Sequence, residues 1–155
     1  MQLPFHEARV RPEWIDANGH MNLAYYVVVF DHATDGVFDA LGIGDAYRQA
    51  SGHACFAVET HTVYARETVV GDPLRVASRL LGADGKRLHL FHEMLHVPSG
   101  EVAAAHEIMT LHVDLASRRT APWPDPVRAR LEAAVAGDTR PWPAAAGRRI
   151  GLRRA

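Results

Sequence analysis

The chain is poor in the features that would send it to a membrane, a secretory route or a nucleic acid. It has a single cysteine, Cys55, so no internal disulfide can form. Its longest apolar run, "LAYYVVVF" at 23–30, is far shorter than a bilayer span. The opening "MQLPFHEARV" carries neither the basic nor the apolar region of a secretory leader. Neither sign of charge dominates: the formal net charge is −1, with no electrostatic pull toward nucleic acid or an anionic membrane. A lone cysteine and no leader fit a reducing compartment, so the expectation is a cytoplasmic protein.

Chemical signatures are missing too. No GxSxG elbow is present, and Cys55 sits inside a predicted strand without a partner in sequence. Gly42-Ile43-Gly44 lacks the GxGxxG pattern and follows a helix rather than a strand, which argues against dinucleotide binding. Ten histidines raise the question of a metal. The densest group is His89, His92 and His96, but strand alternation turns His89 away from the other two. His92-Glu93-Met94-Leu95-His96 has the HExxH spacing, but it falls in a predicted strand rather than on the helix that motif needs, and no Cys/His ligand set accompanies it, so partly exposed strand histidines and no metal are expected.

What is present is a clear change of period along the chain. Residues 23–41 place Leu23, Tyr26, Val27, Phe30, Thr34, Val37, Phe38 and Leu41 on one helical stripe, with Asp31, Asp35 and Asp39 opposite. Asn22 is a credible N-cap and Gly42 a terminator, which gives a helix roughly 28 Å long. A polar connection (42–53) then leads into alternating segments at 55–65, 74–81, 86–97 and 101–115. "GDP" (71–73), Asp84-Gly85 and Ser99-Gly100 supply turns between them, so a four-strand meander is expected. Residues 5–12 read as a further strand ended by Pro12, and 126–136 as a short helix. One domain therefore spans 1–136, followed by an Arg-, Pro- and Ala-rich tail (137–155) expected to be extended or mobile. The class is α+β, one long helix across an antiparallel sheet of about five strands. A lone helix covers one face only, so the open face and edges call for a second copy of the chain.

The stretch "WIDANGHMN" (14–22) lies just before that helix. Asp, Asn and Gly suit a polar loop that does nothing but turn and cap. A second reading is catalytic. The first amides of a helix have no internal partner and carry partial positive charge. If Asn22 occupies a later amide, the backbone N–H of Leu23 is left to hold a polarised carbonyl, with Asp16 on the loop folding back over it. Such a carboxylate can attack the carbonyl carbon or activate a water.

"DANGHMN" followed by "YY" resembles the hotdog-fold acyl-CoA thioesterases of the hydroxybenzoyl-CoA thioesterase-like type. The resemblance continues through "VVGDPLRV" (69–76), "KRLHLFHEM" (86–94) and "LHVDLASRRTAPWP" (111–124), and so covers roughly 8–135 in order. It implies the hotdog fold, an acyl-CoA substrate, no bound cofactor, and assembly as a homodimer or dimer of dimers with sites at the subunit interface. It also makes Asp16 the catalytic carboxylate and the Leu23 amide the oxyanion donor.

Around them, Asn18 and His20 are candidates to hydrogen-bond Asp16 or the substrate carbonyl, and Gly19 to supply a backbone shape that a side chain forbids. Glu59 and His61 share a strand face and are candidates to reach a partner's site. Arg66, Arg75, Arg79, Lys86 and Arg87 are candidates for the CoA phosphates. Trp14, Tyr25, Tyr26 and Phe30 bring aromatic rings toward the acyl pocket, where a trimethylammonium group would be held. That fits a further resemblance to betainyl-CoA thioesterases; an aromatic or medium-chain acyl group would suit the same rings. Two other readings share the fold: a non-catalytic module that binds acyl-CoA or a small ligand, and a dehydratase or hydratase.

Overall fold

The amphipathic segment forms the spine of the molecule. In the computed structural model, which describes residues 2–152, helix α1 runs Leu23–Ala40. Its cap is Asn22, whose side chain accepts a hydrogen bond from the Ala24 amide at 3.0 Å. Tyr26, Val29, Phe30, Ala33, Thr34 and Val37 form the buried stripe, and the three aspartates lie in solvent on the far side. Leu23 and Val27, expected on the stripe, are 62% and 38% exposed. Leu23 opens the helix beyond the sheet, and Val27 lies about 60° round from Phe30, at the stripe's flank.

The sheet is antiparallel. Its strands are β1 (His6–Arg9), β2 (His53–Tyr64), β3 (Pro73–Ala83), β4 (Arg87–His96) and β5 (Glu101–Asp114), in the order β1-β3-β4-β5-β2. A two-residue β6 (Arg119–Thr120) pairs with the end of β5. Only β3, β4 and β5 meander. The expected pairing of the second and third strands through "GDP" does not occur: β2 pairs with β5, from His53↔Asp114 to Tyr64↔Ala104. Residues 65–72 instead cross over to β3. Three strand spacings are about 14 Å, and eight extended residues reach about 27 Å, so the chain has length to spare. The crossing is held by the Ala65 and Arg66 amides, which donate to Ala103 O, and by Gly71 (φ +87°), whose amide donates to Val10 O. The "GDP" turn is real, but it delivers β3 to β1.

Two local expectations also change, and a third, the late helix, holds. The connection after α1 contains a helix, α2 (Asp45–Ser51), too short for periodicity to reveal and closed by Gly52 at φ +69°. The first strand ends at Arg9, because Pro12 opens a 3-10 turn (Pro12–Trp14). The late helix α3 (Asp125–Ala136) packs Val127 and Leu131 against Val37, Leu41 and Leu88, closing the core at the far end of α1.

The tail is not free. Arg79 pairs with Asp138 at 2.9 Å and donates to the carbonyls of Arg140 and Pro141. Trp142 meets the His89 ring edge-on, and the Gly147 amide donates to Glu107 at 2.7 Å. Arg79, His89 and Glu107 alternate with residues that face α1, so the tail crosses the face that a lone helix would leave open. Phe91, which also points that way, is only 1% exposed. Residues 153–155, the end of the predicted tail, lie outside the described residues.

Of the strand histidines, His53, His61 and His89 are partly exposed as expected, but His92, His96, His106 and His112 are buried. Each has a partner, without which burial would be costly. Thr34 Oγ1 donates to Phe30 O, so His92 Nε2–H donates to Thr34, and His92 Nδ1 accepts from the Ser78 hydroxyl. His106, opposite His92 on β5, bonds Thr62 at 2.7 Å. Burial pushes His92 down to about 3 and His106 to about 4, so both are neutral.

Candidate active site

The loop ahead of α1 is a tight hairpin. The Asp16 amide donates to His20 O at 3.1 Å and the Gly19 amide to Asp16 O at 3.0 Å, with an Ile15–Met21 bridge at its base. Gly19 sits at φ +84°, a conformation that side chains rarely adopt. The Met21 amide donates to Thr68 O, which ties this hairpin to the crossover after β2.

Asp16 is held by both oxygens. Oδ1 accepts from the Asn18 amide at 2.8 Å, and Oδ2 from the Asn22 side-chain amide at 3.2 Å. Asn22 thus does two jobs with the two ends of one carboxamide: Oδ1 caps Ala24, and Nδ2 orients Asp16. The Tyr25 amide bonds Asn22 O. Among the described residues the Leu23 amide has no acceptor, so the capping arrangement leaves one helix N-terminal donor open beside the carboxylate. The Asn18 N–H, with smaller help from Asn22 and His20, lowers the Asp16 pKa from the usual carboxylate range. Asp16 is therefore an anion at neutral pH.

Asp16 and Leu23 line a cavity of about 380 Å³, with Asn18, His20 and Met21 on the hairpin side. Leu23 and Tyr26 come from α1. Tyr64, Arg66 and Glu67 come from the end of β2 and the crossover. Tyr26 is buried, its hydroxyl 3.1 Å from Thr68 Oγ1, and Tyr64 stands edge-on to it with ring centroids 5.3 Å apart. The Tyr64 hydroxyl donates to Leu23 O at 3.3 Å. Tyr64 and Glu67 were not singled out from sequence. A hairpin at "GDP" leaves no crossover between β2 and β3, and so none of the wall that Tyr64 and Glu67 form.

Other candidates lie elsewhere. Trp14 and Tyr25 stack on each other at 5.5 Å, and Phe30 is fully buried; none of the three lines the cavity. Glu59 and His61 face a separate cavity of about 260 Å³ with His89 and Glu107, on the tail side of the sheet. Within one chain they do not meet Asp16. Of the basic residues, only Arg66 lines the candidate pocket, and its guanidinium is turned to Ser99 and Glu101. Arg75, Arg79 and Arg87 pair with Glu7, Asp138 and Asp84, while Lys86 sits at the β3–β4 turn. Burial pushes the Cys55 thiol up to about 12, which removes it as a nucleophile at neutral pH.

A long helix crossing a curled antiparallel sheet is the architecture of the hotdog thioesterases. Residues 10–131 match the Thioesterase-like superfamily, and the chain belongs to it, as a thioester hydrolase. It is 42% identical over 151 residues to the betainyl-CoA thioesterase of Pseudomonas aeruginosa, across 97% of this chain and 95% of that one. A Staphylococcus aureus protein solved in complex with CoA superposes with a TM-score of 0.90 at 27% identity, covering 99% of this chain and 96% of that one. A putative thioesterase of Pseudomonas putida follows at 0.82 and 32%, covering 99% of both chains. Among the described residues no helix is long and apolar enough to cross a membrane.

Proposed function

We propose that the chain hydrolyses acyl-CoA thioesters to free acid and CoA, with betainyl-CoA as its substrate. The observation that carries the chemistry is the Asn22 carboxamide, which fixes Asp16 and the open Leu23 amide relative to one another. A thioester carbonyl oxygen accepts from the Leu23 N–H, and Asp16 faces the carbonyl carbon. Attack by Asp16 forms a mixed anhydride as the C–S bond breaks and CoA leaves as thiolate; water then frees the acid and Asp16. The lowered Asp16 pKa keeps the carboxylate ionised, as either route requires. A base-assisted water uses the same two groups, and single-turnover hydrolysis in labelled water separates the two. Label in Asp16 and not in the released acid after that one turnover marks the covalent route.

Asn18 and His20 complete the wall facing the carbonyl. The reaction uses no metal or bound cofactor, so turnover survives exhaustive chelation. The acyl group is supported by the 42%-identical relative. The working unit is a homodimer or dimer of dimers in the cytoplasm: β2 ends the sheet with an open edge, and Leu23, Val27, Val28 and Val58 are 38–62% exposed, forming apolar surface for a second copy. Light scattering after gel filtration reads the assembly. Thiol release from a panel of acyl-CoAs, betainyl-CoA included, tests the function; binding without release across the panel would leave a ligand-binding module instead.

A further inference from the structure

The geometry points to a quaternary-ammonium subsite at the mouth of this pocket, made by the Tyr64 ring and the Glu67 carboxylate; it rests on the betainyl-CoA reading above. In a betainyl thioester the cationic nitrogen lies two bonds from the carbonyl carbon, about 2.5 Å away. A cation held by a ring sits within about 6 Å of the ring centroid. The group that selects the cation must therefore be a direct neighbour of the group that holds the carbonyl. Tyr64 meets that condition: its hydroxyl is pinned to Leu23 O, on the residue whose amide is the open donor. Of the two tyrosine rings that line the cavity, Tyr26 is buried behind, and Tyr64 is 44% exposed. Of the four rings named from sequence, only Tyr26 reaches the cavity; Trp14 and Tyr25 stack on each other and Phe30 packs into the core.

Charge points the same way. Arg66 is the only lysine or arginine lining the pocket, and Glu101 and Ser99 draw its guanidinium aside. The next residue, Glu67, lines the pocket and has no ion-pair partner among the described residues. Asp16 is committed to the reacting carbonyl, so Glu67 is the spare negative charge. An exposed ring beside an unpaired carboxylate holds a trimethylammonium group and offers nothing comparable to a neutral alkyl chain.

The test compares betainyl-CoA with 3,3-dimethylbutyryl-CoA, which replaces the cationic nitrogen by carbon at the same shape. The readout is the ratio of the two kcat/KM values. We expect the wild type to favour the cation by about tenfold or more, and Glu67→Gln and Tyr64→Leu each to lower that ratio several-fold. Tyr64→Phe keeps the ring but loses the bond to Leu23 O that places it, so it should lower the ratio less than Tyr64→Leu does. A wild-type ratio near one, or a ratio untouched by Glu67→Gln, overturns the subsite while leaving the hydrolase reading intact. Hydrolysis of neither substrate, with other acyl-CoAs cleaved, overturns the betainyl reading and the subsite with it.

Discussion

Asn22 joins the stability of α1 to the placement of Asp16, and a substitution can separate the two. Asparagine and aspartate are equivalent helix caps, so Asn22→Asp keeps the bond to the Ala24 amide and should leave Tm within about 2 °C of wild type. The same change removes the donor that holds Asp16 Oδ2 at 3.2 Å and puts a second carboxylate beside it. Loss of a hydrogen bond to a charged group, together with a like charge, should lower kcat/KM by roughly tenfold or more. It should also move the acid limb of the kcat/KM profile to higher pH, because Asn22 is one of the groups that lower the Asp16 pKa. Asn22→Ala is the companion: loss of the cap costs about 1 kcal/mol, so Tm should fall by about 2–4 °C along with turnover. Thermal melts and steady-state thiol release read all of these. An Asn22→Asp enzyme with wild-type kcat/KM and an unmoved acid limb would refute the coupling.

Leu23→Pro should lower turnover about 10²–10³-fold, the scale for losing one oxyanion donor, while Leu23→Ala should be mild because only the backbone is used. Asn22 already has φ −62° and ψ 142°, the conformation that precedes a proline, so the helix start should survive, as circular dichroism can check. Arg79→Met should free the tail, lower stability by about 1–2 kcal/mol, and open residues 139–149 to rapid tryptic cleavage. His92 and His106 are neutral in the fold but take up a proton near pH 6.5 once unfolded. Their contribution is complete above that pH and is lost as pH falls, by about 2 kcal/mol each at pH 5. Urea unfolding at pH 7 and pH 5 measures the loss, and equal stability at the two would contradict it.

The parts legible in sequence were those written in local chemistry. The 3–4 spacing of α1, its Asn22 cap, and the Asp84-Gly85 and Ser99-Gly100 turns each follow from residues a few positions apart. Strand order does not. "GDP" makes a turn whether its strands pair with each other or diverge, and only the competition for β5 along its whole length decides where β2 goes. The tail is hidden for a similar reason: Pro and Gly remove periodicity, yet one partly buried Arg79–Asp138 pair and a few backbone bonds suffice to dock an irregular chain. Likewise, the histidines looked like surface groups because their partners, Ser78, Thr34 and Thr62, are distant in sequence. At the site, Asp16, Asn22 and the Leu23 amide share one nine-residue stretch with its helix start and were readable together. Tyr64 and Glu67 reach the pocket only through the crossover, and no local pattern marks them.

The most direct measurement is thiol release from betainyl-CoA by the wild-type chain and by Asp16→Asn, each checked for folding by its melt. Wild-type hydrolysis, with a fall of about 10²–10⁴ in kcat for the variant at unchanged Tm, is the expected result. An Asp16→Asn variant that retains most of its turnover would remove Asp16 from the mechanism and contradict the account.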